Sequence, residues 1–348
     1  MLGGGVFVTQ NKVLPGSYIN FVNSTSANST VSDRGVVAIA LPLGKAVDSV
    51  IELTADSFAK NSSTLLGKAY DSDDVIALRE IFRHASKVYV YDIGSGETAK
   101  TVADAVAKLE AYDFNILCAY TAVAADVSAY IAAIKDWRDE KGKKCQVVVY
   151  NQTKPDHEGV INVVSTVSTS GAAAHALVAW VAGAEAACKV NESCTNMLYD
   201  GEYTITANKT QAQLKQCIED GQIAFHLVYG DIRLLEDVNS LTTTTADKGD
   251  DFKSNQTIRV IDQIANDIAK LFNTKYLGKI PNNESGRVSL WGDVVKHHRA
   301  LEEIGAIENF DATLVTVAQG DTKKSVVVND VITVVNSMAQ LYMTVVVQ

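Results

Sequence analysis

The chain has 348 residues, of which 47% are apolar and 21% charged, and a formal net charge of −10 at pH 7. That length allows two or three domains with a sizeable core, and the composition is that of a folded chain, not a disordered one. The acidic balance excludes nucleic acid as the main partner, because phosphate binding needs a basic field.

Residues 1–30 differ from the rest of the chain. They run Gly-rich, then "NKVLPGSYINFVNSTSANST". Pro15-Gly16 marks a turn, "SYINFV" is a short extended segment, and a polar stretch comes after it. The segment reads as an arm. No basic region is followed by an apolar run, so no secretory signal is expected.

Residues 31–90 read as a small β-rich domain. "GVVAIALPLG" (35–44) is a buried-strand pattern closed by Pro and Gly, and 71–86 is a helix opened by acidic capping residues. From 87 the pattern becomes β-α-β. Strands are expected at 87–94, 114–120, 145–150 and 159–166, with helices at 97–112, 127–142 and 171–188. Such alternation implies an α/β fold with a central, mostly parallel sheet covered by helices on both faces. The Ala-rich stretch 171–188 carries His175 and Glu185 and is short. It reads as a buried helix, not a membrane span, and no direct membrane insertion is expected.

After Cys194 come a helix at 210–220 and two strands, "IAFHLVYG" and "DIRLLEDVN". A polar loop precedes a long helix whose apolar stripe is Ile258, Ile261, Ile264, Ile268, Leu271 and Phe272. A second helix is expected at 290–307. The chain returns to β signals in "ATLVTVAQ", "SVVVNDVITVV" and the closing "LYMTVVVQ" (341–348). In that last run Tyr342, Thr344 and Val346 alternate with Met343, Val345 and Val347, a strand pattern with no turn and no return strand beside it. An unpaired strand of this kind needs a partner. The domains expected are an arm at 1–30, the small domain at 31–90, a central α/β domain at 91–245, an α+β domain at 246–335 and a carboxy-terminal arm at 336–348.

Several motifs invite a chemical reading. Gly94, Gly96 and Ala99 in "YDIGSGETAK" fit a G-x-G-x-x-A turn between a strand and a helix, where backbone N–H groups bind a dinucleotide pyrophosphate. An α/β oxidoreductase or nucleotide-binding enzyme using this turn is the alternative function. Against it, the turn follows a strand that does not open the fold, and such turns are common in α/β domains. There is no phosphate-loop GK[ST] and no G-x-S-x-G elbow, so no catalytic residue is assigned. His297 and His298 are adjacent, diverge by about 100° on a helix and do not make a metal pair, and "DSDD" and "DKGDD" lack the Gly and Glu of a calcium loop. No metal or cofactor is expected. The five cysteines show no C-x-x-C; Cys188 and Cys194 are the closest pair, and buried thiols are the default reading. One local feature opposes the net charge: Lys296, His297, His298 and Arg299 fall within one helical turn, either a solvated face paired to Glu302 and Glu303 or a basic docking patch.

Four segments in order carry a resemblance. "QNKVLPGSYINF", "DGEYTIT" through "VNSLTT" (200–243), "RVIDQIANDIAKLFNTKYLGKIPNN" and "VVVNDVITVVNSMAQLYMTVVVQ" together resemble contractile tail sheath proteins of myovirus-type phages and prophages of Gram-positive bacteria, or of R-type bacteriocins. Arg233, Asn239, Leu241 and Thr242 stand in the matching places, and Val334 departs where proline is the family's habit. The resemblance implies a structural protein and no enzyme, with a subtilisin-like central domain lacking its triad. It implies a homo-oligomer of hexameric rings stacked as a helical polymer around a tail tube protein, bounded by baseplate and tail terminator proteins. Its place would be the virion tail or bacteriocin particle, assembled in the host cytoplasm. Strand exchange between subunits would fall to Tyr18, Ile19 and Phe21 in one arm and Tyr342, Met343, Val345, Val346 and Val347 in the other. Lys296, His297 and Arg299 would meet the tube, on the inward side of the 246–335 domain.

Overall fold

A computed structural model describes residues 31–346. The candidate strand residues Tyr18, Ile19, Phe21 and Val347 lie outside the described residues.

Thirteen strands and eight α-helices are found among the described residues. The first stretch holds β1 (Val36–Leu41), β2 (Val50–Thr54), α1 (Ala55–Leu66), α2 (Ile76–Ile81) and β3 (Lys87–Asp92). Then come α3 (Val102–Leu109), β4 (Ile116–Cys118), α4 (Ala124–Lys135), β5 (Gln146–Tyr150), β6 (Val160–Val163), α5 (Leu177–Ala187), α6 (Gln211–Glu219) and β7 (Gln222–Ile223). A hairpin of β8 (Phe225–Val228) and β9 (Asp231–Leu234) is next. The last part contains α7 (Asn255–Leu271), α8 (Glu284–Glu303), β10 (Ile307–Glu308), β11 (Thr316–Gln319), β12 (Val326–Asn329) and β13 (Thr333–Val334).

Seven strands form the main sheet in the order β2-β3-β1-β4-β5-β6-β7. All neighbours are parallel except β2, which runs antiparallel to β3 at one edge. The alternation along β1 assigns the two faces. Val37, Ile39 and Leu41 point into a core with Phe58 and Leu66 of α1, Leu78 and Ile81 of α2, and α5. Ala38 and Ala40 point the other way, toward Leu109 of α3 and Val127, Tyr130 and Ile134 of α4. Helices therefore cover both faces, as the β-α-β pattern required.

The expected small domain at 31–90 is corrected by this topology. β1 sits in the interior of the main sheet, between β3 and β4, so residues 31–90 are part of the central layer. Sequence order is not spatial order here, because the crossover after β3 returns the chain to the far side of β1. Helix α1 is a further difference from the sequence pattern. Its "NSST" run is polar, but a Thr54–Ser57 capping box starts it and Gly67, at φ 71°, ends it.

A separate apolar core serves the last part of the chain. Val260 and Ile264 of α7 meet Leu290, Val294, Val295 and Leu301 of α8, with Ile307, Val315, Val328 and Val334. The run "SVVVNDVITVV" is split at Asp330. β12 pairs with β11, and β13 pairs with β10. Residues 341–346 are exposed and form no strand with any other described residue.

Candidate assembly interface

Helix α7 is the member that joins these pieces. Every residue from Asn255 to Ala265 is buried, polar ones included, so each polar side chain requires a partner. Asp262 takes a bidentate pair from Arg138 at 2.6 and 2.9 Å, which ties α7 to the end of α4. Arg259 donates to Glu185 of α5 at 2.6 Å, to Asp237 at 3.1 Å and to the Glu192 carbonyl at 2.8 Å. Burial and the adjacent Asp237 push the Glu185 carboxyl well above its ordinary range. Burial also acts upward on Asp237, but the Arg259 guanidinium and a hydrogen bond from Glu185 outweigh it.

The same helix holds both ends of the described chain. At the amino-terminal side, Ser32 N donates to Asp267 Oδ2 at 3.2 Å, and Gln263 Nε2 donates to the Ser32 carbonyl at 3.1 Å. Arg34 Nη1 reaches Gln263 Oε1 at 3.5 Å. At the other side, Gln256 bonds the Val335 carbonyl at 3.2 Å and Ser337 N at 2.9 Å, and Thr257 Oγ1 lies 3.3 Å from Asn336 Oδ1. Gln256, Gln263 and Asp267 are spaced i, i+7, i+11, which is one face of a helix and about 16 Å along its axis. Both terminal segments are therefore rooted on one buried rod.

Beyond its root the second segment is bare. Leu341, Tyr342, Met343, Val345 and Val346 are 86%, 88%, 76%, 70% and 81% exposed. A run of this apolar content in water is unusual for a finished surface. A groove lies elsewhere on the same part of the chain. It is lined by Glu284, Arg287, Val288 and Trp291 of α8 and by Val317, Ala318 and Gln319 of β11. β11 pairs with β12 alone among the described residues, so one of its edges carries no strand there.

The basic cluster on α8 resolves into two kinds of residue. Lys296 and Arg299 are exposed. His297 is not: it is buried, with Nε2 3.0 Å from Asp267 Oδ2, so it offers nothing to a tube. That expectation is corrected by helical geometry, since His297 shares the inward face with Val294 and Leu301. His298 is equally buried, with Nε2 2.8 Å from Asp330 Oδ2. The neighbouring rings diverge as adjacent helical positions must, each to its own carboxylate. Two wider groups of metal-type ligands exist among the described residues, Asp139 with His157 and Glu158, and Glu185 with Cys194 and Asp237. In each, a side-chain cation already occupies the carboxylates: Lys248 at 2.9 Å from Glu158, and Arg259 at Glu185 and Asp237.

The glycine turn after β3 also has an occupant. Asp92 accepts backbone N–H groups from Leu43, Gly44, Lys45, Ala46 and Gly94 at 2.7–3.1 Å. The N–H of Gly94 that a pyrophosphate would use is spent on the chain's own carboxylate. No α-helix starts there either; α3 opens later, at a Thr101–Asp104 capping box.

The resembling segment "VNSLTT" has a physical role that sequence reading did not supply. Asn239 donates to the Phe252 carbonyl, Ser240 to the His157 carbonyl, and the Thr242 and Thr243 N–H groups bond Asp156. The segment clips the start of α7 to the loop before β6.

Comparison with known proteins agrees with this architecture. A family model described as the phage tail sheath protein central domain matches residues 96–240, and one described as the phage tail sheath C-terminal domain matches 247–348. A tail sheath protein of Clostridium phage phiCD119 is 32% identical over 184 residues, covering 52% of this chain and 51% of that protein. The chain spans about half the length of the curated relatives it matches. The sheath tail protein of Desulfitobacterium hafniense superposes with a TM-score of 0.78 at 25% identity, over 94% of this chain and 99% of that one. The helical sheath of the anti-feeding prophage in its contracted state shares the fold, with a TM-score of 0.70 at 14% identity over 97% and 99% of the two chains. With both of its principal regions matched in order, and the fold matched across nearly its whole length, this chain belongs to the phage tail sheath family.

Proposed function

We propose that the protein is the repeating subunit of a contractile sheath, polymerising as stacked hexameric rings around a tail tube. The extended polymer shortens and widens to drive the tube through a target envelope, and its place is the tail of a virion or a bacteriocin-like particle. Baseplate and terminator proteins bound the polymer at its two ends. The observation that carries this reading is residues 341–346: an alternating apolar segment, exposed, rooted on α7 and without a strand partner among the described residues.

The segment adds as a strand to a neighbouring copy. The groove between α8 and the outer edge of β11 suits it, because a strand laid there gains ladder hydrogen bonds while its apolar side chains cover Val288 and Trp291, which are 61% and 37% exposed. Each ladder bond contributes roughly 0.5–1.5 kcal/mol net, and each buried Val about 1.5–3 kcal/mol. One exchanged strand is therefore worth several kcal/mol before the polymer multiplies it. Because the link is a chain segment and not a rigid face, subunits can change pitch while remaining joined. Lys296 and Arg299, exposed on α8, are the residues proposed to meet an acidic tube surface. Contraction runs downhill from a metastable lattice and consumes no nucleotide.

Deleting residues 338–348 spares the Gln256–Ser337 root and tests the reading. Full-length protein at high concentration should give rings or tubes in negative stain, and the truncated protein a folded monomer of nearly unchanged melting temperature. Normal tubes from the truncated chain would overturn the strand-exchange mechanism. A full-length chain that stays monomeric while melting later with a dinucleotide would overturn the sheath reading itself.

A further inference from the structure

The β8–β9 hairpin forms a two-stranded sheet of its own and turns at Tyr229-Gly230. Both turn residues have positive φ, 49° and 97°. Asn and Gly suit such a turn, whereas a bulky aromatic residue strains the backbone there. Packing does not offset the strain: Tyr229 is 105% exposed, and Leu227, two positions before it, is 59% exposed. A strained aromatic residue held wholly in solvent points to a role outside its own subunit.

A cleft of about 200 Å³ opens between α1, α2 and the loop at Glu202. Phe58 is buried in it, with its ring 5.0 Å from that of Tyr70 and 5.4 Å from that of Phe82. Tyr70 is exposed and Phe82 half-buried. The rim is fixed before any partner arrives. Arg79 donates through Nε to Glu202 at 2.9 Å, and through Nη1 to the Tyr70 and Ser72 carbonyls at 2.7 and 2.9 Å. The Glu202 N–H donates to Glu80 Oε1 at 2.6 Å. Arg83 is looser, 3.7 Å from Glu202 and with 40% of its side chain exposed. Aromatic walls, a guanidinium and a carboxylate in one small cleft match the face, the quadrupole and the hydroxyl of a phenol.

We propose that the Tyr229 ring of one copy seats in the Phe58–Tyr70–Phe82 cleft of the next copy. This contact presupposes the polymer proposed above and does not involve residues 341–346. The ring lies against Tyr70 and Phe82, the Arg83 guanidinium covers its open face, and the hydroxyl donates to Glu202. Asp231, two positions after Tyr229 and with its side chain 51% exposed, brings a carboxylate toward Arg83. Tyr229 is bare in its own chain, so the ring in the cleft comes from a second copy. Knob and hole are different surfaces. The contact is therefore head-to-tail and runs on from copy to copy, as a ring or a helical polymer requires.

Tyr229→Gly in the full-length chain separates assembly from folding. Glycine relieves the turn, so the monomer should melt at the wild-type temperature or above it. Its critical concentration for assembly, read by sedimentation, should nevertheless rise about tenfold or more. Tyr229→Phe keeps the ring and should lose less. Ala55→Trp, which fills the exposed mouth of the cleft, should reproduce the assembly defect. p-Azidophenylalanine placed at position 229 reads the contact directly. Irradiated polymers mixed from isotopically heavy and light chains should link position 229 to peptides carrying Phe58 or residues 70–83, heavy joined to light. Assembly of Tyr229→Gly at the wild-type concentration, or cross-links to other surfaces only, would overturn the contact and leave the polymer standing. A wild-type chain that forms no rings or tubes would overturn both.

Discussion

His297 Nε2 of α8 lies 3.0 Å from Asp267 Oδ2 of α7, and both side chains are buried. The same Asp267 oxygen accepts the Ser32 N–H. One carboxylate therefore joins two helices and the root of the amino-terminal segment. A residue that reads as part of a basic surface is in fact a strut beneath it.

Replacing Asp267 by Ala leaves His297, Gln263 and the Ser32 N–H short of an acceptor in a dry site. The expected loss is about 2–4 kcal/mol in denaturant unfolding. Amide exchange at Ser32 should accelerate, while exchange in β5 and β6 keeps its protection up to the new global stability. Asp267→Asn keeps an acceptor and should lose less.

Asp92 is tested through its five backbone donors. Asp92→Ala leaves them unanswered and should cost about 3 kcal/mol or more. Burial acts upward on this carboxyl, but the backbone N–H groups of Ala46, Gly44, Gly94 and Lys45 outweigh it and hold it below its ordinary value. A depressed folded value means that its ionic contribution is present above the unfolded value of 3.8 and is lost as pH falls through the folded one. The stability gap between wild type and Asp92→Asn should therefore be largest near neutrality and close at acid pH.

Asp330 has the opposite sign. Burial pushes its carboxyl up to about 8. The unfolded carboxyl ionises near 3.8, so the stabilising contribution is complete below that and is lost as pH rises toward 8. Asp330→Asn still offers His298 an acceptor and removes this dependence. It should match the wild type near pH 4 and exceed it by roughly 1 kcal/mol or more at pH 8, read from chemical denaturation. A variant weaker than wild type at pH 8 would show that the charged pair with His298 dominates instead.

Gly183 lets α5 lie directly on the turn after α2. A Cβ built there falls 2.4 Å from the Ile81 carbonyl oxygen, a contact that the backbone must move to relieve. Gly183→Ala should cost about 1–3 kcal/mol despite the better helix propensity of alanine. Calorimetry would check it, with an exposed Gly292→Ala on α8, where nothing lies within 4 Å, as the neutral or stabilising control.

The parts of this fold legible in the sequence are those with local causes. β1, β5 and the long α7 follow from apolar runs and the 3.6-residue stripe of Ile258, Ile261 and Ile264. Boundaries went astray where a cap intervened. Helix α8 begins at Glu284 because Asn283 accepts the Gly286 N–H, earlier than its apolar pattern suggests. Helix α3 begins only at Val102, since Gly96 takes φ 70° and Thr101 provides the cap. The exposed strand-like segment 341–346 was legible, because alternation without a return strand is a local pattern.

Sequence alone thus determined the class of fold, the kinship carried by ordered segments and an alternating apolar segment at 341–346 that pairs with no strand among the described residues. Only the tertiary structure decided that β1 lies in the middle of the sheet, that Gly94 serves Asp92 and not a phosphate, that His297 faces inward, and that Gln256 and Asp267 root both terminal segments on one helix. The difference has a physical cause. Periodicity and capping act over a few residues, whereas burial and polar pairing depend on residues tens or hundreds of positions away. Asp267 and Ser32 meet across 235 positions, and no local pattern encodes that contact.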